Sequence, residues 1–137
     1  MDPVVSARTA RGLEVPAHQY IRLIQRQREL VRTAESRMRG LSGWITPTAT
    51  LPALPVAAFE DLDEALRLAF SITRNTQPGN LFGQCGASLP IHHLGSELPV
   101  GLQIVCSPNA DEALLRIACA VEAELGSPRP ADLSDFL

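Results

Sequence analysis

Two short apolar runs followed by a helix start, all in the second half of the chain, confine this sequence to folds that combine sheet and helix. Residues 87–93 and 100–105 read as strands, because apolar residues cluster there between Gly, Pro and Ser, and Gly95-Ser96-Glu97 supplies a turn between them. Asn109 stands three residues before Glu112, the spacing of a capping box. Leu114, Ala118, Val121 and Leu125 then recur at helical intervals until Gly126. A hairpin with one apolar face needs a cover, and the amphipathic helix directly after it is the nearest one available.

Upstream, residues 17–39 place Tyr20, Ile24, Gln27, Val31, Ala34 and Met38, with Leu41 just beyond, in alternating steps of four and three that line one helix face. Arg22, Arg26, Arg28, Arg32 and Arg39 fall mostly outside that stripe, and Gly40 and Gly43 mark its end. Trp44-Ile45-Thr46 predicts a short strand stopped by Pro47, followed by a loop with Pro52 and Pro55. Residues 59–71 predict a second helix, with Phe59, Leu62, Leu66, Ala69 and Phe70 on its apolar face. Glu60, Asp61, Asp63 and Glu64 crowd its first turns, where the helix dipole favours anions, so the acidic cluster needs no cation to explain it. Residues 76–83, punctuated by Pro78, Gly79 and Gly83, read as a loop.

With 137 residues, 45% of them hydrophobic, the chain suits one packed domain. All 12 basic side chains are Arg, and the formal net charge of -3 excludes a uniformly cationic surface for nucleic acid. The first 40 residues nevertheless hold eight Arg against four acids, and the rest hold four Arg against eleven acids. A solvated helix face or an intramolecular charge match accounts for that asymmetry. Cys85, Cys106 and Cys119 are odd in number and lack a C-x-x-C spacing, so a disulfide framework or zinc site is not indicated and a reducing cytoplasm is expected. Neither a secretory leader nor a run of about 18 apolar residues is present, so neither secretion nor a membrane partner is expected.

Asp2-Pro3, Arg8, Gly12, Tyr20 and Arg28, then Ile45-Thr46-Pro47-Thr48, then Thr76, Pro78, Asn80, Leu81, Gly83, Ser88 and Pro90, stand in a characteristic order. Pro99-Val100-Gly101-Leu102-Gln103, Pro108, Leu114-Leu115-Arg116 and Glu122 continue it. This succession resembles the C-terminal end of the amidase signature family. Its members hydrolyse or transfer amide groups using a lysine, a cis-bonded serine and a nucleophilic serine. The resemblance covers nearly the whole chain, yet the chain contains no lysine and no Gly-Gly-Ser-Ser-like run. No catalytic residue is therefore carried over, and no cofactor-binding or metal residue either. Gln77, Gly79 and Cys85-Gly86 depart from the residues the family commonly has there.

Read by themselves, the chemically able side chains are few. Cys85, followed by His92 and His93, is the one place to imagine a nucleophile and a base, and a small packed thiol is the commoner use of such a cysteine. His92 and His93, as strand neighbours, are expected to point to opposite faces and so to share no metal. Ser88 is expected to satisfy local backbone. Trp44 and Tyr20 are too isolated for a base-stacking platform.

The expected fold is α/β, part of an amidase-signature fold, with two to three strands of a mixed sheet and helices packed on its faces. Residues 1–137 are expected to form one segment of that domain: 1–43 a long basic helix region, 44–75 a Pro-rich loop and acidic helix, and 76–137 the hairpin plus C-terminal helix. The resemblance implies amide C–N hydrolysis of a small amide substrate by the complete enzyme, with these residues inactive alone. An N-terminal amidase portion is the expected partner, with self-association as another outcome of exposed edges. The alternative function is a non-catalytic subunit or interaction module that completes a separate chain bearing the Ser and Lys.

Overall fold

The computed structural model describes residues 3–95 and 98–126. In chain order these form α1 (Pro3–Ala10), α2 (Ala17–Met38), β1 (Trp44–Pro47), α3 (Leu62–Ile72), α4 (Gln77–Phe82), β2 (Cys85–Pro90), β3 (Gly101–Cys106) and α5 (Asp111–Leu125). The sheet order is β1-β3-β2, and both pairings are antiparallel, where a mixed sheet had been expected. Within β2–β3, Ser88 opposes Gln103 and Cys85 opposes Cys106; within β1–β3, Thr46 opposes Gln103.

Strand alternation sends β3 side chains to two different covers. Ile104 and Cys106 join Leu114 and Ala118 of α5 in the main core, with Cys85, Ala87 and Leu89 packed beside them. Burying a side chain the size of Ile104 contributes about 1.5–3 kcal/mol, which makes this face the chief source of cohesion. Val105 points the other way and is equally buried, with α4 so close that a side chain on Gly79 would meet its Cγ1 at 3.8 Å. The sheet thus lies between α5 and α4.

Helix α2 follows its predicted stripe: Ile24, Gln27, Val31, Ala34 and Met38 are half-buried while the Arg residues face solvent. Tyr20 and Leu41, the two ends of that stripe, are exposed. Gln27 donates to the Leu81 carbonyl at 2.8 Å, tying α2 to α4 across 54 residues of sequence. Trp44 donates its indole N–H to Gln84 at 3.3 Å, which fixes the base of the same contact.

Four local expectations are corrected. Residues 76–83 form the helix α4 instead of a loop: Pro78 occupies its first turn, where a missing N–H costs nothing, and Gly83 ends it in the left-handed region at φ 66°. Asn109 is no cap. Helix α5 starts from Ala110 without a side-chain cap, and Asn109 takes φ 58°, a conformation that Asn tolerates better than most residues. Helix α3 begins at Leu62, capped by Asp61, whose carboxylate accepts from the Glu64 N–H at 2.8 Å, and its buried face is Ala65, Leu66 and Leu68. Leu62 and Phe70 are exposed, and Phe59 belongs to a separate 3-10 turn. Finally, β2 spans Cys85–Pro90, so His92 lies in a 3-10 turn beyond the strand. The His93 side chain, Ser96, Glu97 and the tail after Gly126 lie outside the described residues.

Candidate functional site

Where β1 ends, the chain does not leave the sheet freely. The Thr48 N–H donates to the Gly101 carbonyl at 2.8 Å, Asn75 donates to the Pro47 carbonyl at 2.8 Å, and the Thr50 hydroxyl donates to the Ser71 carbonyl at 2.7 Å. Three anchors on three different segments hold residues 47–50 as a fixed wall. The β2–β3 hairpin supplies the facing wall, its ladder extended by the Ile91 N–H donating to Val100 at 2.9 Å. Between them lies a groove of about 530 Å³, lined by Leu51, Pro52, Pro90, His92 and Pro99 among others.

The polar feature of this groove is a hydroxyl pair. Thr48 Oγ1 and Ser88 Oγ lie 2.6 Å apart, joining the two outer strands across β3. Gly101 makes that possible: a Cβ there would stand 2.6 Å from each hydroxyl oxygen. Ser88 therefore does not satisfy local backbone as expected; it reaches a residue 40 positions away. Thr48, Asn75 and Gly101 escape single-sequence reasoning as a group, because only tertiary contact assembles them. The two hydroxyls bond each other, and His92 is the titratable side chain in the same groove lining. The lining is mostly apolar, with Thr48, Thr50, Ser88 and His92 as its polar side chains, which suits a largely uncharged group better than an ion.

A smaller recess of about 150 Å³ lies on the α4 side of β3, lined by Thr76, Asn80, Gln84 and Gln103. The buried Gln103 Oε1 accepts no hydrogen bond among the described residues.

The structure separates the imagined thiol and base. Cys85 opens β2 and His92 follows its end, so the strand holds them on the order of 20 Å apart. The Cys85 thiol instead donates to the Ser107 carbonyl at 3.3 Å. Burial, with the neighbouring Cys85 as a second cause, pushes the Cys106 thiol pKa up. Among the described residues, no group of three or more His, Cys, Asp or Glu gathers at one point as a metal site would require. Trp44 and Tyr20 stay apart, the first packed against Gln84 and the second exposed.

The family model described as Amidase matches residues 1–115. A 2-amino-5-chloromuconic acid deaminase from Comamonas testosteroni is 31% identical over 129 residues, covering 92% of this chain and 27% of that protein. A fatty acid amide hydrolase from Medicago truncatula is 33% identical over 97 residues, covering 68% of this chain and 16% of its own length. A crystal structure of an amidase superposes with a TM-score of 0.71 at 24% identity, covering 92% of this chain and 29% of that one, a likeness of fold. The chain thus spans no more than 27% of the length of these two curated relatives.

Proposed function

We propose, from the premise that this chain belongs to the amidase family, that it forms one part of an amide-hydrolysing domain whose reactive serines and lysine come from other sequence. The observation that carries this reading is the match over residues 1–115 in a sequence that holds no lysine. Coverage of 16% and 27% of the two relatives is consistent with a C-terminal segment of an amidase. In this reading the Thr48–Ser88 groove lies against the substrate's uncharged portion, and acyl transfer takes place on groups supplied from outside these residues.

The surface supports an incomplete layer. Ile45 pairs with Ile104 and so lies on the α5 side of the sheet, yet α5 packs on β2 and β3 and leaves Ile45 66% exposed. Leu115 on α5 is 62% exposed. Both β1 and β2 are outer strands of the described sheet and offer backbone for further pairing. The remainder of an amidase domain is the partner that fits; the alternative of a non-catalytic subunit or interaction module completing a separate Ser- and Lys-bearing chain is not favoured by the matches to single amidase-family chains.

The test is reconstitution. Residues 1–137 alone should give no turnover of primary amides or aryl anilides, and co-expression with a lysine-bearing N-terminal amidase portion should give a stable complex that turns them over. Light scattering after size-exclusion chromatography follows the species, since binding to the folded state also raises its stability. Turnover by the isolated chain that survives Cys85→Ala overturns the proposal, as does a compact monomer with no affinity for such a portion.

A further inference from the structure

Two of the three cysteines are directly opposed across the hairpin, Cys85 at the start of β2 and Cys106 at the end of β3. The register also fixes the kind of pair they form. The Ile91 N–H donates to the Val100 carbonyl, which marks that pair as hydrogen-bonded. Pair type alternates at each step along an antiparallel ladder, so six steps further on Cys85 and Cys106 are hydrogen-bonded partners, with Cα atoms about 5.5 Å apart. Disulfides span Cα separations of about 4.4–6.8 Å but need Cβ atoms about 3.5–4.5 Å apart, closer than a hydrogen-bonded pair holds them, so closing the bond strains these strand ends and leaves it readily reduced. From this geometry we propose that Cys85 and Cys106 are an oxidative modification site, closing to a reversible cross-strand disulfide at the open end of the hairpin.

The two sulfurs have different parts. Cys85 is half-exposed while Cys106 is fully buried, so a peroxide reaches Cys85 first. Its thiolate attacks one peroxide oxygen, the O–O bond breaks, and sulfenic acid and hydroxide result. The Cys106 sulfur then attacks the Cys85 sulfur; the S–S bond forms, the S–O bond breaks, and the departing hydroxide leaves as water with the proton of the Cys106 thiol. Two sulfur electrons have passed to the peroxide oxygen, and a dithiol reverses the change. The bond from Cys85 Sγ to the Ser107 carbonyl already directs that sulfur toward the residue after Cys106. Cys106 Sγ now sits toward β1, 3.2 Å from where a Gly43 Cβ would stand, so bridging requires one change of its staggered χ1 well. Burial holds the Cys106 thiol pKa above its usual range, so Cys106 is a poorer first target for peroxide. Cys119 lies exposed on α5 and is the competing thiol.

The experiment oxidises the full chain with stoichiometric hydrogen peroxide under native conditions, then caps free thiols and maps peptides without reduction. The expected result is loss of two hydrogen masses, a peptide linking Cys85 to Cys106, Cys119 alone capped, and all three thiols restored by dithiothreitol. Cys119→Ser should leave the link intact, and Cys85→Ser should abolish it. In urea the pairing should scatter over all combinations, which shows that the fold selects the pair. Overoxidised Cys85 without a link, a link to Cys119, or three cappable thiols after oxidation overturns the proposal.

Discussion

Strand β3 and helix α2 each carry apolar residues that face the rest of the molecule, but they lose solvent to very different degrees. Ile104, Val105 and Cys106 are each at most 1% exposed, whereas α2 has no fully buried residue over its 22 positions. The strand is central, with α5 on one face, α4 on the other and a strand at each side. The helix meets the rest of the molecule along a single stripe, held by half-buried contacts and the Gln27 to Leu81 hydrogen bond. Amphipathic periodicity thus tells which face is sticky, while the number of covered sides decides how much stability that face yields.

The sharpest way to break this contrast is at its centre. Ile104→Ala should cost about 2–5 kcal/mol, because it removes buried methyl groups and leaves a cavity between sheet and α5. Set against a typical total of roughly 5–15 kcal/mol, that loss should lower the urea midpoint sharply or prevent folding. An effect below about 1 kcal/mol would show that β3 is not the organising core. Next in size is the junction between the two regions, Gly43, where an added Cβ would stand 2.7 Å from the Val105 carbonyl oxygen and 3.2 Å from Cys106 Sγ. Gly43→Ala should cost roughly 1–3 kcal/mol, since a backbone oxygen cannot swing aside as a side chain does. Chemical denaturation measures it, and an unchanged midpoint would mean the turn into β1 shifts freely. The smallest effect belongs to α2: Val31→Ala gives up part of a half-buried contact but gains helix propensity, for a net change of about 0.5 kcal/mol. A loss equal to that of Ile104→Ala would place α2 in the same core and erase the distinction.

These regions also differed in how readily they could be read. Helix α2 was legible almost to the residue, because a period of 3.6 repeated over six turns leaves little ambiguity. The hairpin and α5 were legible from their own apolar patterns, shifted by one to three residues at the ends. Helix α4 was hidden because Pro78 and Gly79 speak for a turn when judged one by one; Pro is tolerated only because it falls in the first helical turn. Asn109 satisfied the spacing of a capping box, yet its tolerance of positive φ decided its place. The groove was the least legible part: Thr48 and Ser88 are 40 residues apart, and their contact depends on an absent side chain at Gly101. Nothing local in sequence encodes such a meeting.

The sheet order carries a consequence for how the chain reaches this state. Strands β2 and β3 and helix α5 are contiguous from residue 85 to residue 125, while β1 must come to β3 from residues 44–47, with α3 and α4 in the intervening loop. Closing the hairpin fixes far less chain than docking β1, so nucleation costs least entropy in the second half of the molecule. A translating ribosome, however, releases β1 and α2 first, and they must wait. Until β3 emerges, Trp44 and Ile45 lack the strand they pair with in this structure, so β1 is an early segment captured late.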